Sequence, residues 1–173
     1  RVVAWRGEVD RRDPALRAAP MSGRIRVLVV DDHVVVSRGI RSLLDQYDDL
    51  EVIGVAASSE EGLAVVAAEE PDVALIDIML GGPGAPTGID LARQLKRGGD
   101  RPRIAIVTAF DDPQIVFDAF RAGVDAYILK TVAEDVLADA IRAVHAGDRF
   151  VSGPILGSVL NQFEDLARRR VQD

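Results

Sequence analysis

The stretch that decides the fold is VLVVDDHVVV, residues 27–36, in which four apolar residues run directly into two aspartates. A short, mostly β-branched run that stops at charged residues is typical of a buried strand that ends at the edge of a sheet. Two like charges side by side cost stability unless a cation lies beside them. The adjacent Asp31 and Asp32 therefore predict a positively charged partner at this strand end.

Strand-like and helix-like segments alternate five times along the chain from residue 24. The strand-like runs are residues 25–30, 51–57, 73–76, 103–107 and 126–129. The helix-like segments are residues 33–47, 58–69, 112–122 and 132–146, together with a segment that follows the loop 81–88 and ends at about residue 97. Continuous apolar strands with short connections indicate a parallel sheet with helices on both faces. We therefore expect an α/β fold built on a doubly wound, five-stranded parallel sheet.

The predicted strands end in an unusual set of polar side chains. The first ends at Asp31 and Asp32, the third at Asp77, the fourth at Thr108 and the fifth at Lys130. Parallel sheets bind ligands outside the carboxyl ends of their strands, so these groups are expected to meet at one edge. Converging carboxylates suit Mg2+, and a carboxylate can attack phosphorus to give an acyl phosphate. The predicted site holds Mg2+ on the acidic pair, with Asp77 as phosphoacceptor and with Lys130 and Thr108 contacting the phosphoryl oxygens.

Composition excludes several other classes of protein. The 173 residues are 48% hydrophobic and 5% aromatic, contain no cysteine, and carry a net charge of −7. The absence of cysteine excludes a disulfide framework and a thiolate zinc site. The acidic balance argues against nucleic-acid binding by this chain alone. No apolar run reaches the roughly 20 residues that a membrane-spanning helix needs.

The motifs VLVVDDH, PDVALIDIML, IAIVTAF and AYILK, in this order, resemble the response-regulator receiver domain of bacterial two-component signalling, over residues 24–150. DDHVVVSRGIRSLL, VTAFDD and AGVDAYILK are similar to the subfamily with a LuxR-type helix-turn-helix output. The resemblance implies a flavodoxin-like sheet of order 2-1-3-4-5 in a cytoplasmic signalling protein that is not an enzyme beyond self-catalysed phosphotransfer and autodephosphorylation. It implies a sensor histidine kinase as phosphodonor, a possible homodimer, and DNA contact only through an output domain outside this chain. The resemblance also implies residue roles, with Asp77 as the phosphoacceptor. The Mg2+ ligands would be Asp31, Asp32, Asp77 and the Met79 carbonyl. Thr108 and Lys130 would be the phosphate-sensing pair, and Tyr127 the aromatic residue that changes burial on activation.

Three positions depart from the family pattern. Gly81 stands where the family usually has proline, four residues past the acceptor. The glycine usually found about eight residues past the acceptor appears at Gly88, eleven residues on, so the loop 81–88 is longer by about three residues. Thr131 replaces the proline that often follows the lysine, and a cis peptide without proline would cost about 3 kcal/mol. The rim of the pocket is therefore expected to differ from the family pattern.

The two ends of the chain lie outside the resemblance. Residues 1–23 are predicted to be an extension, disordered or a helix over 14–19, with Met21 as the expected natural start. Residues 151–173 are predicted to form an amphipathic helix of about four turns, with Ser152 as its cap. Its apolar stripe comprises Leu156, Val159, Leu160, Phe163 and Leu166. Two roles are open for this helix, packing back on the domain or signalling between domains or subunits.

Other functions are weighed against this one. A Mg2+-dependent aspartyl phosphohydrolase would be expected to carry an acid/base aspartate two residues past the nucleophile, where Met79 stands. A flavin-binding module of the same fold is disfavoured because Asp31 and Asp32 would repel a phosphate after the first strand. His33 is expected to be solvated at a helix start and His145 to lie at a helix end, with no catalytic role for either. A receiver without DNA-binding output remains an alternative.

Overall fold

The computed structural model describes residues 23–132 and 134–171. The predicted N-terminal extension, apart from Gly23, lies outside these residues. None of the helices in the described part of the chain is long and apolar enough to cross a bilayer.

A single parallel sheet forms the centre of the fold. Its strands are β1 Ile25–Val30, β2 Leu50–Ala56, β3 Val73–Ile76, β4 Arg103–Thr108, β5 Ala126–Leu129 and β6 Phe150–Val151, in the order β2-β1-β3-β4-β5-β6. The predicted α/β class, the parallel sheet and the order of the first five strands are confirmed. The prediction of five strands is wrong by one, because Phe150 and Val151 pair with β5. A two-residue strand is too short for any periodicity to mark it in a sequence.

In the described part of the chain, six helices cover the sheet: α1 Val34–Leu44, α2 Ser59–Glu69, α3 Gly88–Arg97, α4 Pro113–Arg121, α5 Glu134–His145 and α6 Gly153–Val171. Side chains fix where several of them begin. The Ser58 hydroxyl accepts a hydrogen bond from the Glu61 amide, and Thr87 and Asp90 form a reciprocal capping box at α3. Asp112 caps α4, with Pro113 in its first turn. Polar residues just before the apolar segments therefore set the starts of α2, α3 and α4.

The sheet separates two apolar cores. On one face the strands pack against α2, α3, α4 and the start of α6, and on the other they pack against α1 and α5. The inner strands β3 and β5 are buried at every position, so their side chains fill both cores. Polar groups just past these strands can therefore project only from the carboxyl edge of the sheet.

The C-terminal helix α6 is longer than predicted, at 19 residues. Ile155 is fully buried in the core, and the ring of Phe163 meets that of Phe117 on α4 edge-to-face at 5.2 Å. Ser152 directly precedes the helix, as predicted, and its carbonyl accepts a hydrogen bond from the Leu156 amide at 3.2 Å. Its hydroxyl accepts a hydrogen bond from the Leu129 amide at 3.0 Å and so ties the helix start to β5. Leu160 and Leu166 stay about half exposed. The helix thus packs back on the domain while part of its apolar stripe faces outward.

Candidate functional site

Lys130 links two aspartates at the carboxyl edge of the sheet. Its ammonium lies 2.8 Å from an oxygen of Asp77, just past β3, and 3.0 Å from an oxygen of Asp31, just past β1. The side chains of Asp77 and Asp31 are only 5% and 3% exposed. Burial alone would lower the pKa of Lys130, but its hydrogen bonds to Asp77 and Asp31 outweigh burial and raise that pKa. The predicted convergence of carboxylates and lysine is therefore present, and Lys130 stays charged.

The two side chains of the acidic pair differ in burial and in their hydrogen-bond partners. Asp31 is buried, and its second oxygen accepts a hydrogen bond from the His33 amide at 2.8 Å. Asp32 is partly exposed, and one of its oxygens accepts a hydrogen bond from the Gly81 amide at 3.0 Å. The His33 imidazole nitrogen Nδ1 lies 3.2 Å from Asp31 Oδ1 and 3.0 Å from Asp32 Oδ1. The sequence predicted a solvated His33 ring. The His33 side chain is indeed exposed, but its Nδ1 atom faces the acidic pair.

Gly88 brings the start of α3 against the backbone of Asp77. A Cβ atom at Gly88 would lie 2.0 Å from the Asp77 carbonyl oxygen and 2.9 Å from a methyl carbon of Ile76. The Gly88 amide also donates a hydrogen bond to the Ile78 carbonyl at 2.8 Å. No residue other than glycine fits this approach without moving the backbone of the proposed acceptor. The glycine at eleven residues from Asp77 therefore closes the pocket on the α3 side.

The lengthened loop 81–87 forms the rim of the pocket. Gly81 has a φ of +90°, in the region that favours glycine, and from this conformation its amide reaches Asp32. The Lys130–Thr131 peptide is trans, since the cis peptide bond of the described residues lies at Arg101-Pro102. The loop therefore contributes a backbone donor to the acidic pair that its sequence alone did not reveal.

Thr108 and Tyr127 are buried on the neighbouring strands β4 and β5, two positions apart in register, because Tyr127 pairs with Ile106 and Thr108 with Leu129. The Thr108 hydroxyl is fully buried and finds no hydrogen-bond partner among the described residues. Tyr127 is fully buried, and its hydroxyl donates a 2.8 Å hydrogen bond to the Phe110 carbonyl. Burial, followed by the nearby charges of Asp111, Asp112 and Asp77, raises the pKa of Tyr127 far above its ordinary range. Tyr127 is thus a neutral donor, held inward in this conformation.

The donor set at the edge fits a divalent cation. Asp31, Asp32, His33 and Asp77 each offer one ligand atom, and these atoms all lie within 4.8 Å of one another. Asp32 Oδ1 is buried and makes no well-aligned hydrogen bond among the described residues, and the ionisable group beside it is the His33 ring, with Nδ1 at 3.0 Å, so this oxygen is available to a cation. Met79, the further ligand implied by the resemblance, is half exposed and lies two residues past Asp77. Carboxylate and carbonyl oxygens are the ligands that Mg2+ prefers.

One buried aspartate was missed by the sequence analysis. Asp125 accepts hydrogen bonds from the Lys96 ammonium and the Ile104 amide, both at 2.9 Å, and lies 3.6 Å from Arg103. It comes before β5, at the opposite edge from Lys130, so it joins α3 to the sheet rather than the site. Asp125 belongs to the motif AGVDAYILK. It precedes its strand, whereas Asp77 follows one, and only this difference marks Asp125 as a structural residue outside the site.

Comparison with known proteins agrees with this geometry. The family model for the response regulator receiver domain matches residues 27–142. The chain belongs to the response regulator receiver family. The matched segment runs from within β1 into α5 and so contains most of β1, the whole of β2 to β5 and every polar residue at the carboxyl edge described above.

Individual relatives extend the comparison. The chain is 36% identical to the transcriptional regulatory protein LiaR of Bacillus subtilis over 138 residues, which are 80% of this chain and 64% of LiaR. It is 34% identical to the response regulator protein VraR of Staphylococcus aureus over 143 residues, 83% of this chain and 67% of VraR. A two-component response regulator of the LuxR family from Aurantimonas has a crystal structure that matches with a TM-score of 0.76 at 29% identity, covering 81% of this chain and 98% of that one. The resemblance to the LuxR-type subfamily is therefore confirmed.

Proposed function

We propose that the chain is a phosphoacceptor switch, in which Asp77 takes a phosphoryl group from a sensor histidine kinase. The observation that carries the proposal is the pairing of buried Asp77 and buried Asp31 through the single ammonium of Lys130. Two carboxylates sharing one lysine leave a net negative charge at the strand ends. A phosphoryl group can join this site only if further positive charge is present, which the acidic pair can attract.

In the proposed transfer, an Asp77 carboxylate oxygen attacks phosphorus and an acyl phosphate forms. The bond from phosphorus to the donor breaks, its electrons leave with the donor, and a leaving imidazole takes a proton from water. Lys130 already contacts Asp77 at 2.8 Å and can follow the new phosphoryl oxygens. Mg2+, when bound, supplies the remaining neutralisation of phosphoryl charge. Asp31, Asp32, Asp77 and the Met79 carbonyl are the residues that would hold it.

Readout is proposed to pass through Thr108 and Tyr127. A fully buried hydroxyl without a partner has free energy to gain from a hydrogen-bond acceptor, and a phosphoryl group on Asp77 supplies strong acceptor oxygens. Movement of Thr108 would alter the space beside Tyr127, whose hydroxyl holds the Phe110 carbonyl in the connection to α4. The surface formed by α4, β5 and α5 would then shift its population between two arrangements.

The output is proposed to be transcriptional. LiaR, a transcriptional regulatory protein, extends beyond the part that this chain matches, which is 64% of its length. In this proposal α6 connects the receiver to a DNA-binding domain, and dimerisation of the receiver sets the spacing of two such domains. A protein extended through the downstream reading frame should bind promoter DNA, and the 173-residue chain alone should not. Equal promoter binding by the two proteins would contradict this output.

Phosphorylation of variants tests the acceptor. The full chain is incubated with acetyl phosphate and MgCl2, and its intact mass is measured. Wild type and the control Asp100→Asn, which changes an exposed aspartate, should each gain one phosphoryl group, while Asp77→Asn should gain none. Mass gain in Asp77→Asn equal to that of wild type would overturn the assignment.

A further inference from the structure

The imidazole of His33 occupies a position that helix capping does not explain. His33 is the N-cap residue of α1, yet its side chain makes no capping hydrogen bond. The ring is turned instead towards the acidic pair, although 63% of the side chain is exposed and free to point into solvent. A side chain that has open solvent available and still lies between two carboxylates is held there by those carboxylates.

The distances from His33 Nδ1 to the two carboxylate oxygens match the edge of a coordination octahedron. Ligands about 2.1 Å from an ion and at right angles to one another lie about 3 Å apart. The distances from His33 Nδ1 to Asp32 Oδ1 and to Asp31 Oδ1 are 3.0 and 3.2 Å. An ion bound by both carboxylates would therefore find a nitrogen at ligand distance without rearrangement of α1.

We propose that His33 Nδ1 is a further ligand of the metal at this site and gives it a preference for borderline divalent ions over Mg2+. The inference rests on the metal site of the proposed function and adds to it a ligand from this chain. Imidazole nitrogen binds Co2+ and Ni2+ strongly, whereas Mg2+ prefers oxygen. In the bound state the ring proton resides on Nε2, leaving the Nδ1 lone pair for the ion.

A different role for the same ring would give a different result. If Nδ1 only donated a hydrogen bond to the carboxylates, removal of the ring would change the binding of every divalent ion by a similar factor. A ligand role instead separates the ions, because only those with affinity for nitrogen lose an interaction. The comparison of Co2+ or Ni2+ with Mg2+ therefore distinguishes the two roles.

The test measures metal binding to the full, untagged chain by isothermal titration, with CoCl2, NiCl2 and MgCl2 and no phosphodonor. His33→Asn is the main variant, because asparagine is a favoured N-cap residue and keeps the start of α1 stable. His145→Asn is the matched control, since His145 is the other of the two histidines in the sequence and lies at the end of α5. The visible absorption of bound Co2+ reports independently on a nitrogen ligand.

His33→Asn should weaken Co2+ and Ni2+ binding about tenfold or more, because loss of even an outer-shell partner of a metal site costs roughly 10- to 100-fold. Mg2+ binding should change by less than about twofold, the Co2+ spectrum should change, and His145→Asn should match wild type. Equal losses for all three ions, unchanged Co2+ affinity, or an equal effect of His145→Asn would overturn the inference. If wild type binds Co2+ as expected but never takes a phosphoryl group on Asp77, only the proposed function fails.

Discussion

Substitution of Gly88 by alanine should disturb the fold and the acceptor together. The added methyl would lie 2.0 Å from the Asp77 carbonyl oxygen and 2.8 Å from its carbonyl carbon. Both are backbone atoms of the residue proposed to carry the phosphoryl group, so no side-chain rotation can relieve the contact. Either α3 moves away from the sheet or the backbone of Asp77 shifts.

The expected cost follows from overpacking of a well-packed interior, which is typically about 1–3 kcal/mol. A backbone contact of this kind belongs at the upper end, about 3 kcal/mol. For a protein of this size each kcal/mol lowers the melting temperature by about 2–4 °C, so a fall of roughly 6–12 °C is predicted. Differential scanning calorimetry measures the fall, and the rate of mass gain from acetyl phosphate measures the accompanying loss at Asp77.

Gly39→Ala is the matched control for this prediction. Gly39 lies inside α1 on an exposed face, and a Cβ there would meet nothing within 4 Å. Alanine in a helix interior is favoured over glycine by about 1 kcal/mol, so this variant should melt slightly higher than wild type. A Gly88→Ala protein with the melting temperature and phosphorylation rate of wild type would refute the close approach of α3 to Asp77.

Three further substitutions test other contacts of the fold. Arg142→Ala removes a bidentate ion pair with Asp49, whose hydrogen bonds from Arg142 lower the pKa of the Asp49 carboxyl. Both side chains are more than one third exposed, so solvent screening limits the loss in free energy of unfolding to about 0.5 kcal/mol at pH 7, measured by urea denaturation. The depressed pKa of Asp49 stabilises the fold above the ordinary value of 3.8, so the difference from wild type should shrink as pH falls through the lower folded pKa, leaving the contact of the guanidinium with the Tyr47 ring at 5.0 Å. A difference that does not shrink over that pH range would contradict the pairing. Tyr127→Phe should cost about 1 kcal/mol and speed amide exchange in the loop after β4, because the Phe110 carbonyl loses its donor; unchanged exchange would show that the hydroxyl does not hold this loop. Phe163→Ala should lower the free energy of unfolding by about 1 kcal/mol through loss of the edge-to-face contact with α4, and a neutral result would mean that α6 does not pack there in solution.

The sequence predicted that these polar side chains meet at one edge of the sheet, because their meeting depends on strand direction. Once the strands are parallel, residues that follow them must meet at one edge, and this rule alone brings Asp31, Asp77 and Lys130 together. Their contacts at 2.8 and 3.0 Å follow the expectation closely. The same rule required no knowledge of side-chain conformation.

Features that depend on side-chain direction or on close packing were not predictable. The sequence placed His33 at a helix start but could not indicate that its ring turns to the acidic pair instead of to solvent. It marked Gly88 as displaced along the chain, but the contact with the Asp77 carbonyl depends on how α3 meets the sheet. The burial of Tyr127 in this conformation likewise depends on the loop at Phe110, whose path no pattern encodes.

The central claim is that one carboxylate, Asp77, accepts the phosphoryl group. Reduction of the acetyl phosphate-treated protein with borohydride converts an aspartyl phosphate into homoserine, and tandem mass spectrometry of the peptides locates it. We expect homoserine at residue 77 and at no other aspartate, and only when MgCl2 is present. Homoserine at Asp31 or Asp32, or its absence from a fully folded sample, would contradict that claim.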